Sequence, residues 1–197
     1  MRRRTHCLFA AVLAALFVAG CSSAEAGKTS AAAANGGATV ERVVDGDTLV
    51  VHVSGRRERV RLIGIDTPES VKPNTPVQCF AIEASNRTKA LLPAGTPVRL
   101  VGDVDQRDRY KRLLAYVYRA RDNLFVNLAL VRDGYALPYT FPPNVAHTAE
   151  FVAASADARE AARGLWSACG PDQRPSHPDV ATFKDNDGAR RATGFPP

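Results

Sequence analysis

Residues 39–65 read TVERVVDGDTLVVHVSGRRERVRLIGI, and this stretch decides the fold. It contains three β-rich runs, at 39–44, 48–53 and 57–65, in which Val, Ile, Leu and Thr recur at short intervals. The breaks between the runs are Asp45-Gly46-Asp47 and Ser54-Gly55, and glycine in so short a break is typical of a turn between neighbouring strands. The stretch therefore predicts three consecutive strands joined by tight turns.

The sequence beyond this stretch adds two strands and three helices. Proline and glycine punctuate its loops, and apolar residues recur at helical spacing in the last helix. Strands are expected at 97–104 and 113–118, and helices at 80–92, 126–131 and 145–162. Five short strands with a helix inserted after the third predict a mainly β fold with helices (α+β), built as a small closed barrel.

The two ends of the chain differ in composition from this folded part. Residues 1–20 combine three arginines with an uncharged apolar run, as in a secretory signal, and the run ends in Val18-Ala19-Gly20-Cys21, which resembles the bacterial lipobox. Cys21 is then the predicted lipidation site, anchoring the protein on the outer face of the bacterial cell membrane. A signal cut at another position would give a secreted protein instead, and an ordinary buried helix with an incidental cysteine is a further alternative. Residues 21–38 are expected to be a flexible tether and 171–197 a disordered tail, which leaves 39–170 as the folded domain.

The composition excludes several classes of protein and says little about ligands. The chain has 197 residues, with 45% hydrophobic and 23% charged residues, which excludes a wholly disordered, collagen-like or multi-span membrane protein. Its formal net charge is +6, but three of those charges belong to Arg2, Arg3 and Arg4 of the predicted signal. A nucleic-acid ligand is therefore not indicated by net charge.

The four cysteines separate by position. Cys7 leaves with the predicted signal and Cys21 would carry lipid, so Cys79 and Cys169 remain in the folded part. An even pair in an oxidising compartment suggests a disulfide, and two separate buried thiols are the alternative.

Acids and arginines gather in three segments, at 45–48, 61–69 and 105–112. Carboxylates at strand ends supply hard oxygen ligands for Ca²⁺, and arginines supply planar forks that match phosphate oxygens. Each segment alone has a plain explanation, since Asp-Gly-Asp is often a hairpin turn and a strand arginine is often only solvated. Their ordered combination suggests chemistry on a phosphate diester.

That combination resembles the thermonuclease, or staphylococcal nuclease, family, and the likeness covers about residues 39–168. Its carriers are VDGDT at 44–48, RLIGIDTPE at 61–69 and DRYKRLLAY at 108–116, with shorter matches at 83–85, 127–134 and 164–166. The resemblance implies an OB-fold five-stranded barrel with three helices. It also implies a calcium-dependent nuclease that breaks the P–O5′ bond of DNA or RNA and leaves 3′-phosphate ends.

The resemblance assigns roles to individual positions. Asp47 and Asp66 would bind Ca²⁺ through their side chains, and Thr67 through its backbone carbonyl. Glu69 stands at the position of the general base, and Arg61 and Arg112 stand at those of the two phosphate clamps. The expected substrate contacts are made by Arg109, Tyr110 and Tyr139.

This chain departs from the family pattern in three places. Lys111 replaces a common glycine, Ala81-Ile82 replaces a Gly-Pro, and Phe141 stands where a second tyrosine can occur. Tyr139 aligns with a base-stacking tyrosine, although packing at the barrel rim is an equal alternative for it.

The spacing of Arg61 and Asp66 makes a geometric prediction. In a regular strand, residues five apart point to opposite faces, yet both side chains are needed at one site. We therefore expect the strand to bend, bulge or end near Gly64.

Two functions from different classes account for these features. The first is an exported, metal-dependent nuclease acting on single-stranded or locally opened DNA and RNA, with no obligate protein partner implied. The second is an OB module that binds nucleic acid on the cell envelope and has lost catalysis. A structural envelope lipoprotein is a third reading, and only the set of acids and arginines argues against it.

Overall fold

The computed structural model describes residues 37–71, 74 and 76–170. The predicted signal at 1–20, the lipidation site Cys21, the tether up to residue 36 and the tail at 171–197 lie outside the described residues. Within the described part, the first strand begins at Ala38.

The elements follow the predicted order. The strands are β1 (Ala38–Val43), β2 (Thr48–Val53), β3 (Arg56–Leu62), β4 (Ile65–Asp66), β5 (Pro97–Val101), β6 (Leu113–Arg119), β7 (Leu124–Phe125) and β8 (Leu137–Pro138). The helices are α1 (Ala81–Leu91), α2 (Val126–Arg132), α3 (Thr148–Glu160) and α4 (Leu165–Ala168).

Five of the strands form a closed barrel. They lie in the order β3-β2-β1-β5-β6 with antiparallel pairing, and a parallel pairing of β3 with β6 closes the sheet. The β2–β3 turn has positive φ at both Ser54 (48°) and Gly55 (76°), as a two-residue type I′ hairpin requires. The predicted five-stranded barrel with helices is confirmed.

Apolar side chains fill the barrel, and residues of α2 and α3 belong to the same buried cluster. Leu49 and Val51 of β2 meet Val60 and Leu62 of β3 in one buried cluster. Phe151 of α3 belongs to the same cluster and is 1% exposed. None of the helices within residues 37–170 has the length and apolar character needed to cross a membrane.

The structure corrects several predicted boundaries. The strand predicted at 57–65 ends at Leu62, and the one predicted at 97–104 ends at Val101. The helix predicted to begin at 145 begins at Thr148, because the preceding segment is held in turns by bonds from Asn144 N to Phe141 O and from Ala146 N to Asp103 Oδ2. The short helix α4 and the two-residue strands β4, β7 and β8 were not predicted.

The predicted disulfide is confirmed. Cys79 and Cys169 are bonded, with 5.9 Å between their Cα atoms. The bond connects the residues before α1 with the end of α4.

Candidate active site

The chain bends sharply at Gly64, as the spacing of Arg61 and Asp66 predicted. Gly64 has φ +78°, and a Cβ there would lie 2.3 Å from the ring of Phe151, so both conformation and space require glycine. After the bend β4 pairs with β8, and Tyr139 N donates to Gly64 O at 2.9 Å. The bend places Arg61 Nη2 2.9 Å from Asp66 Oδ1.

Arg61 lies between the two carboxylates predicted to bind metal. Its Nη1 atom is 2.5 Å from Asp47 Oδ2, an ion-pair contact rather than a hydrogen bond of good geometry. The side chains of Arg61, Asp47 and Asp66 are 10%, 9% and 16% exposed. One guanidinium therefore joins the turn before β2 to the strand after the bend, largely out of contact with water.

The Asp-Gly-Asp turn packs directly on Thr67. Asp47 Oδ2 accepts hydrogen bonds from Thr67 N at 3.0 Å and from Thr67 Oγ1 at 3.1 Å, and Asp47 Oδ1 accepts one from Thr48 Oγ1. A Cβ on Gly46 would lie 2.6 Å from Thr67 Oγ1, so glycine allows this close approach. Three predicted metal-binding residues, Asp47, Asp66 and Thr67, are thus brought together.

Negative charge exceeds positive charge in this cluster. Burial, followed by repulsion from Asp47, raises the pKa of Asp66 to about 7 and that of Asp45 to about 7. Burial acts to lower the pKa of the Arg61 guanidinium, but the carboxylates of Asp47 and Asp66 outweigh that effect and the pKa is raised. Asp45 was not among the predicted site residues, although its place in the Asp-Gly-Asp turn was a usable signal.

This surplus of buried negative charge suits a bound cation. The side chains of Asp45, Asp47 and Asp66 offer carboxylate oxygens, which are ligands that Ca²⁺ prefers. Among the described residues, however, no group of three His, Cys, Asp or Glu side chains is already placed to bind a metal ion. A Ca²⁺ ion held here by Asp47 and Asp66 would take the Thr67 carbonyl and water as further ligands.

Glu69 lies on the loop that leaves this cluster. It is close enough for its charge to contribute to the raised pKa of Asp66. Its Oε1 atom accepts a hydrogen bond from Val71 N at 2.8 Å, and its backbone N–H donates to Gln78 Oε1 at 2.7 Å. The structure therefore brings Glu69 to the same region as the predicted metal ligands.

Arg112 is held on a different kind of support, the turn between β5 and β6. Its Nε atom donates to Asp108 Oδ2 at 2.6 Å, and its backbone N–H donates to Asp108 Oδ1 at 2.9 Å. Asp108 also accepts a bond from Tyr110 N, so one carboxylate organises the whole turn. Lys111 has φ +65°, a conformation that favours glycine and explains why this departure from the family pattern matters.

A groove of about 440 Å³ lies between strand β3, which carries Arg61, and the turn between β5 and β6, which carries Arg112. Five predicted residues line it, namely Arg61, Arg109, Tyr110, Arg112 and Tyr139. Its lining does not include Asp47, Asp66, Thr67 or Glu69. Asp47 and Asp66 contact the lining residue Arg61, and Thr67 bonds to Asp47.

Three aromatic residues line the groove, and two of them, Tyr110 and Phe141, are exposed. Tyr110 is 64% exposed, and the guanidinium carbons of Arg109 and Arg112 lie 4.9 and 5.4 Å from its ring centre. Tyr139 stacks on the exposed Phe141, with 6.3 Å between ring centres and 18° between planes. These faces can stack on unpaired bases.

Two buried side-chain amides that the sequence did not single out as functional connect these parts of the site. Asn127 Nδ2 donates to Ile63 O at 2.9 Å beside the bend, and its Oδ1 accepts from Val117 N. Asn144 exchanges two hydrogen bonds with the backbone of Asp105, tying the loop before Asp108 to the segment that carries Phe141. No local signal distinguishes such amides from surface asparagines, because their partners are distant in sequence.

Comparison with known proteins shows what this chain is similar to. The family model described as staphylococcal nuclease homologue matches residues 59–168. Thermonuclease of Staphylococcus intermedius is 44% identical over 127 residues, covering 64% of this chain and 74% of that protein. Thermonuclease of Staphylococcus hyicus is 41% identical over 128 residues, covering 65% and 74%. Endonuclease YncB of Bacillus subtilis is 37% identical over 133 residues, covering 67% and 62%.

Proposed function

The chain belongs to the staphylococcal nuclease homologue family and is a nuclease, and we propose that it is a calcium-dependent nuclease that acts outside the cell. The reaction is hydrolysis of a phosphodiester bond of DNA or RNA, in which water attacks phosphorus and the P–O5′ bond breaks. The observation that carries this proposal is the position of Arg61, which joins Asp47 to Asp66 and also lines the groove that contains Arg112.

Asp47 and Asp66 would hold Ca²⁺, with Thr67 contributing its carbonyl oxygen. The chemistry supplied by a bound Ca²⁺ is neutralisation of charge at the scissile phosphate. The surplus negative charge described above supports this assignment, since burial and Asp47 raise the pKa of Asp66 to about 7 in the absence of a further cation.

The two arginines reach the groove from different structural elements. Arg61 comes from strand β3 and Arg112 from the turn before β6, and both line the same cavity. Each guanidinium offers N–H donors in a planar fork that fits phosphate oxygens. Together they favour the extra negative charge that gathers on the phosphate oxygens as water attacks.

Glu69 would accept the proton of the attacking water. Its carboxylate is half-buried and lies near Asp66, within the same part of the site. A carboxylate that is already ordered by a hydrogen bond from Val71 N can receive a proton without a large rearrangement.

The aromatic rings that line the groove favour a single strand over a closed duplex as the substrate. The walls of the groove present Tyr110 and the stacked pair Tyr139 and Phe141, and these flat faces suit splayed bases of any sequence. Arg109 lies over Tyr110 and would bind a phosphate at the end of the strand. The proposed substrates are therefore single-stranded or locally opened DNA and RNA.

A nuclease assay on single-stranded DNA, with Ca²⁺ or with a chelator, tests this proposal. We expect cleavage only with Ca²⁺, and a loss of roughly 100-fold or more in kcat for Glu69→Gln and for Arg112→Ala. Glu150→Gln and Arg99→Ala are matched controls outside the groove lining and should keep wild-type activity. Full activity in chelator, or in both site variants, would reject the mechanism. Calcium-dependent DNA binding without cleavage would favour the alternative function, a catalytically inactive binding module.

The cellular location is a separate part of the proposal. A signal at 1–20, a lipid on Cys21 and a tether that ends before β1 would hold the domain on the outer face of the membrane, followed by the tail 171–197. The domain begins at Ala38 rather than at the predicted residue 39, because Ala38 is the first residue of β1. Mass spectrometry of the protein expressed in a bacterium should detect an acylated Cys21. An unmodified N-terminus created by cleavage elsewhere would reject the anchor and leave a secreted protein.

A further inference from the structure

Gln78 fixes both backbone polar groups of Glu69. The Glu69 N–H donates to Gln78 Oε1 at 2.7 Å, and the Gln78 N–H donates to Glu69 O at 3.0 Å. These two bonds close the loop between the residues at its base. The side chain and the backbone of one residue thus fix the backbone that carries the proposed general base.

Gln78 is itself attached to rigid structure. Its carbonyl accepts a hydrogen bond from Ala81 N at 3.1 Å, at the first residue of α1. The next residue, Cys79, is bonded to Cys169. After it comes Phe80, whose ring packs 5.3 Å from that of Tyr135. Gln78 therefore has little freedom while the disulfide is intact.

The other end of the disulfide is fastened to the scaffold. Cys169 N donates to Leu165 O at 3.0 Å, and the buried Leu165 donates its N–H to Gly134 O at 2.9 Å. Gly134 and Gly164 approach so closely that a Cβ on either would lie 2.3 Å from the other segment's backbone. The disulfide thus links the base of the Glu69 loop to a tightly packed contact between the residue Gly134 after α2 and the residue Gly164 before α4.

We propose that Gln78 is a positioning residue for Glu69 and that the Cys79–Cys169 disulfide acts through it, so that the covalent bond sets the placement of the general base. This inference rests on the proposed function for its effect on catalysis. A general base must stay within hydrogen-bond reach of the water it activates, and a displacement of about 1 Å can cost roughly 100-fold in rate. Glu69 and Gln78 lie at the two ends of one loop. Gln78 connects the backbone of Glu69 to the disulfide at Cys79.

The first test removes the side-chain acceptor while leaving the disulfide in place. In Gln78→Ala we expect kcat on single-stranded DNA with Ca²⁺ to fall roughly 10- to 100-fold, with KM within about twofold of wild type. Gln78→Glu keeps an acceptor for the Glu69 N–H and should recover most of that loss. Asn123→Ala removes a comparable side-chain hydrogen bond, to Arg99, and should leave both constants unchanged. A wild-type kcat in Gln78→Ala would overturn the proposal.

A double-mutant cycle tests the route from the disulfide. Cys79→Ser with Cys169→Ser should lower kcat by about 10-fold at a temperature where circular dichroism shows a folded protein. Because the disulfide acts through Gln78, adding the two serine substitutions to Gln78→Ala should lower kcat little further than Gln78→Ala alone. If the two losses multiply instead, the disulfide acts by another route and that half of the proposal is wrong.

Hydrogen exchange separates failure of this inference from failure of the proposed function. The Glu69 amide should be protected from exchange in the wild type and should lose protection in Gln78→Ala and in the serine double variant. If the wild type cleaves no nucleic acid, the proposed function fails. The positioning role is then decided by whether the Glu69 amide loses its exchange protection in the two variants. If protection of the Glu69 amide is unchanged in both variants, the positioning role is rejected whatever the activity.

Discussion

Arg61 and Arg112 line the same groove, yet the protein holds them in opposite ways. Arg61 projects from a barrel strand, has a side chain only 10% exposed and contacts two buried carboxylates. Arg112 projects from a turn, is 23% exposed and contacts the single carboxylate of Asp108. Arg61 is thus part of a barrel strand, whereas Arg112 is part of the turn that connects β5 and β6.

This difference separates stability from catalysis within one site. On the Arg61 side the charges that would bind metal are also buried charges that folding must neutralise, so function and stability depend on the same residues. On the Arg112 side the turn is accessible to water and can change with a small cost in stability. Substitutions on the two sides should therefore differ in the ratio of lost stability to lost activity.

Arg61→Ala is expected to have the largest effect. It leaves Asp47 and Asp66 buried without their cation, and breaking a buried pair costs about 3–5 kcal/mol. Urea unfolding in the absence of Ca²⁺ measures this loss, and activity should be lost as well. Arg42→Ala, at a 55% exposed side chain 4.0 Å from Glu41, is the control and should cost less than about 1 kcal/mol. Equal losses in the two variants would contradict a structural role for Arg61.

Arg112→Ala should lose activity with little loss of stability. Asp108 would still accept bonds from the N–H groups of Tyr110 and residue 112, so the turn persists and the unfolding free energy should fall by about 1 kcal/mol. Loss of one donor to the phosphate should lower kcat/KM roughly 100- to 1,000-fold. Unfolding and steady-state kinetics on the same preparation test the pair of values. A stability loss as large as that of Arg61→Ala would remove the contrast between the two sides.

The bend at Gly64 is a feature of the site that could be predicted from the sequence. Two residues five apart were needed at one site, and the intervening glycine was the position where the chain could turn. The barrel was predictable for a similar reason, since short strands alternate with turn residues that fix where each strand ends. Both features depend on residues that are near one another in sequence.

The features that were missed depend on contacts between distant residues. Helix α3 was expected to begin at 145, but Ala146 N bonds to Asp103 and Asn144 bonds to Asp105, so that segment is held outside the helix. The burial that raises the pKa of Asp45 follows from packing of the whole turn, which local periodicity does not record. The organising role of Asp108 likewise became visible only when its three hydrogen bonds were known.

Asp108→Ala should lower activity less than removal of either arginine does. It deletes the acceptor for two backbone N–H groups and the partner of Arg112, so we expect a stability loss of about 1–2 kcal/mol. Because Arg112 remains but is less well placed, kcat/KM should fall roughly 10- to 30-fold, less than in Arg112→Ala. Asp108→Asn keeps an acceptor for the backbone and should restore stability more than activity. If the Asn variant restored activity fully, the charge of Asp108 would have no part in placing Arg112.

Lys111→Gly should have the smallest effect and should be stabilising. Lys111 has φ +65°, where a side chain costs about 1–2 kcal/mol, while the greater freedom of glycine in the unfolded chain offsets roughly 0.5–1 kcal/mol of that gain. The backbone of Lys111 donates from its N–H to Asp108 O and accepts at its carbonyl from Arg107 Nη1. Neither bond needs the Lys111 side chain, so both should persist. We therefore expect a net gain of about 0.5–1 kcal/mol in thermal or urea unfolding, with kcat/KM within twofold because Lys111 does not line the groove. Lys111→Ala removes the same charge but keeps a Cβ, so it should gain nothing. Equal stability of the Gly and Ala variants would show that the left-handed backbone at 111 carries no strain. The turn that carries Arg112 would then be as free of backbone strain as the strand that carries Arg61.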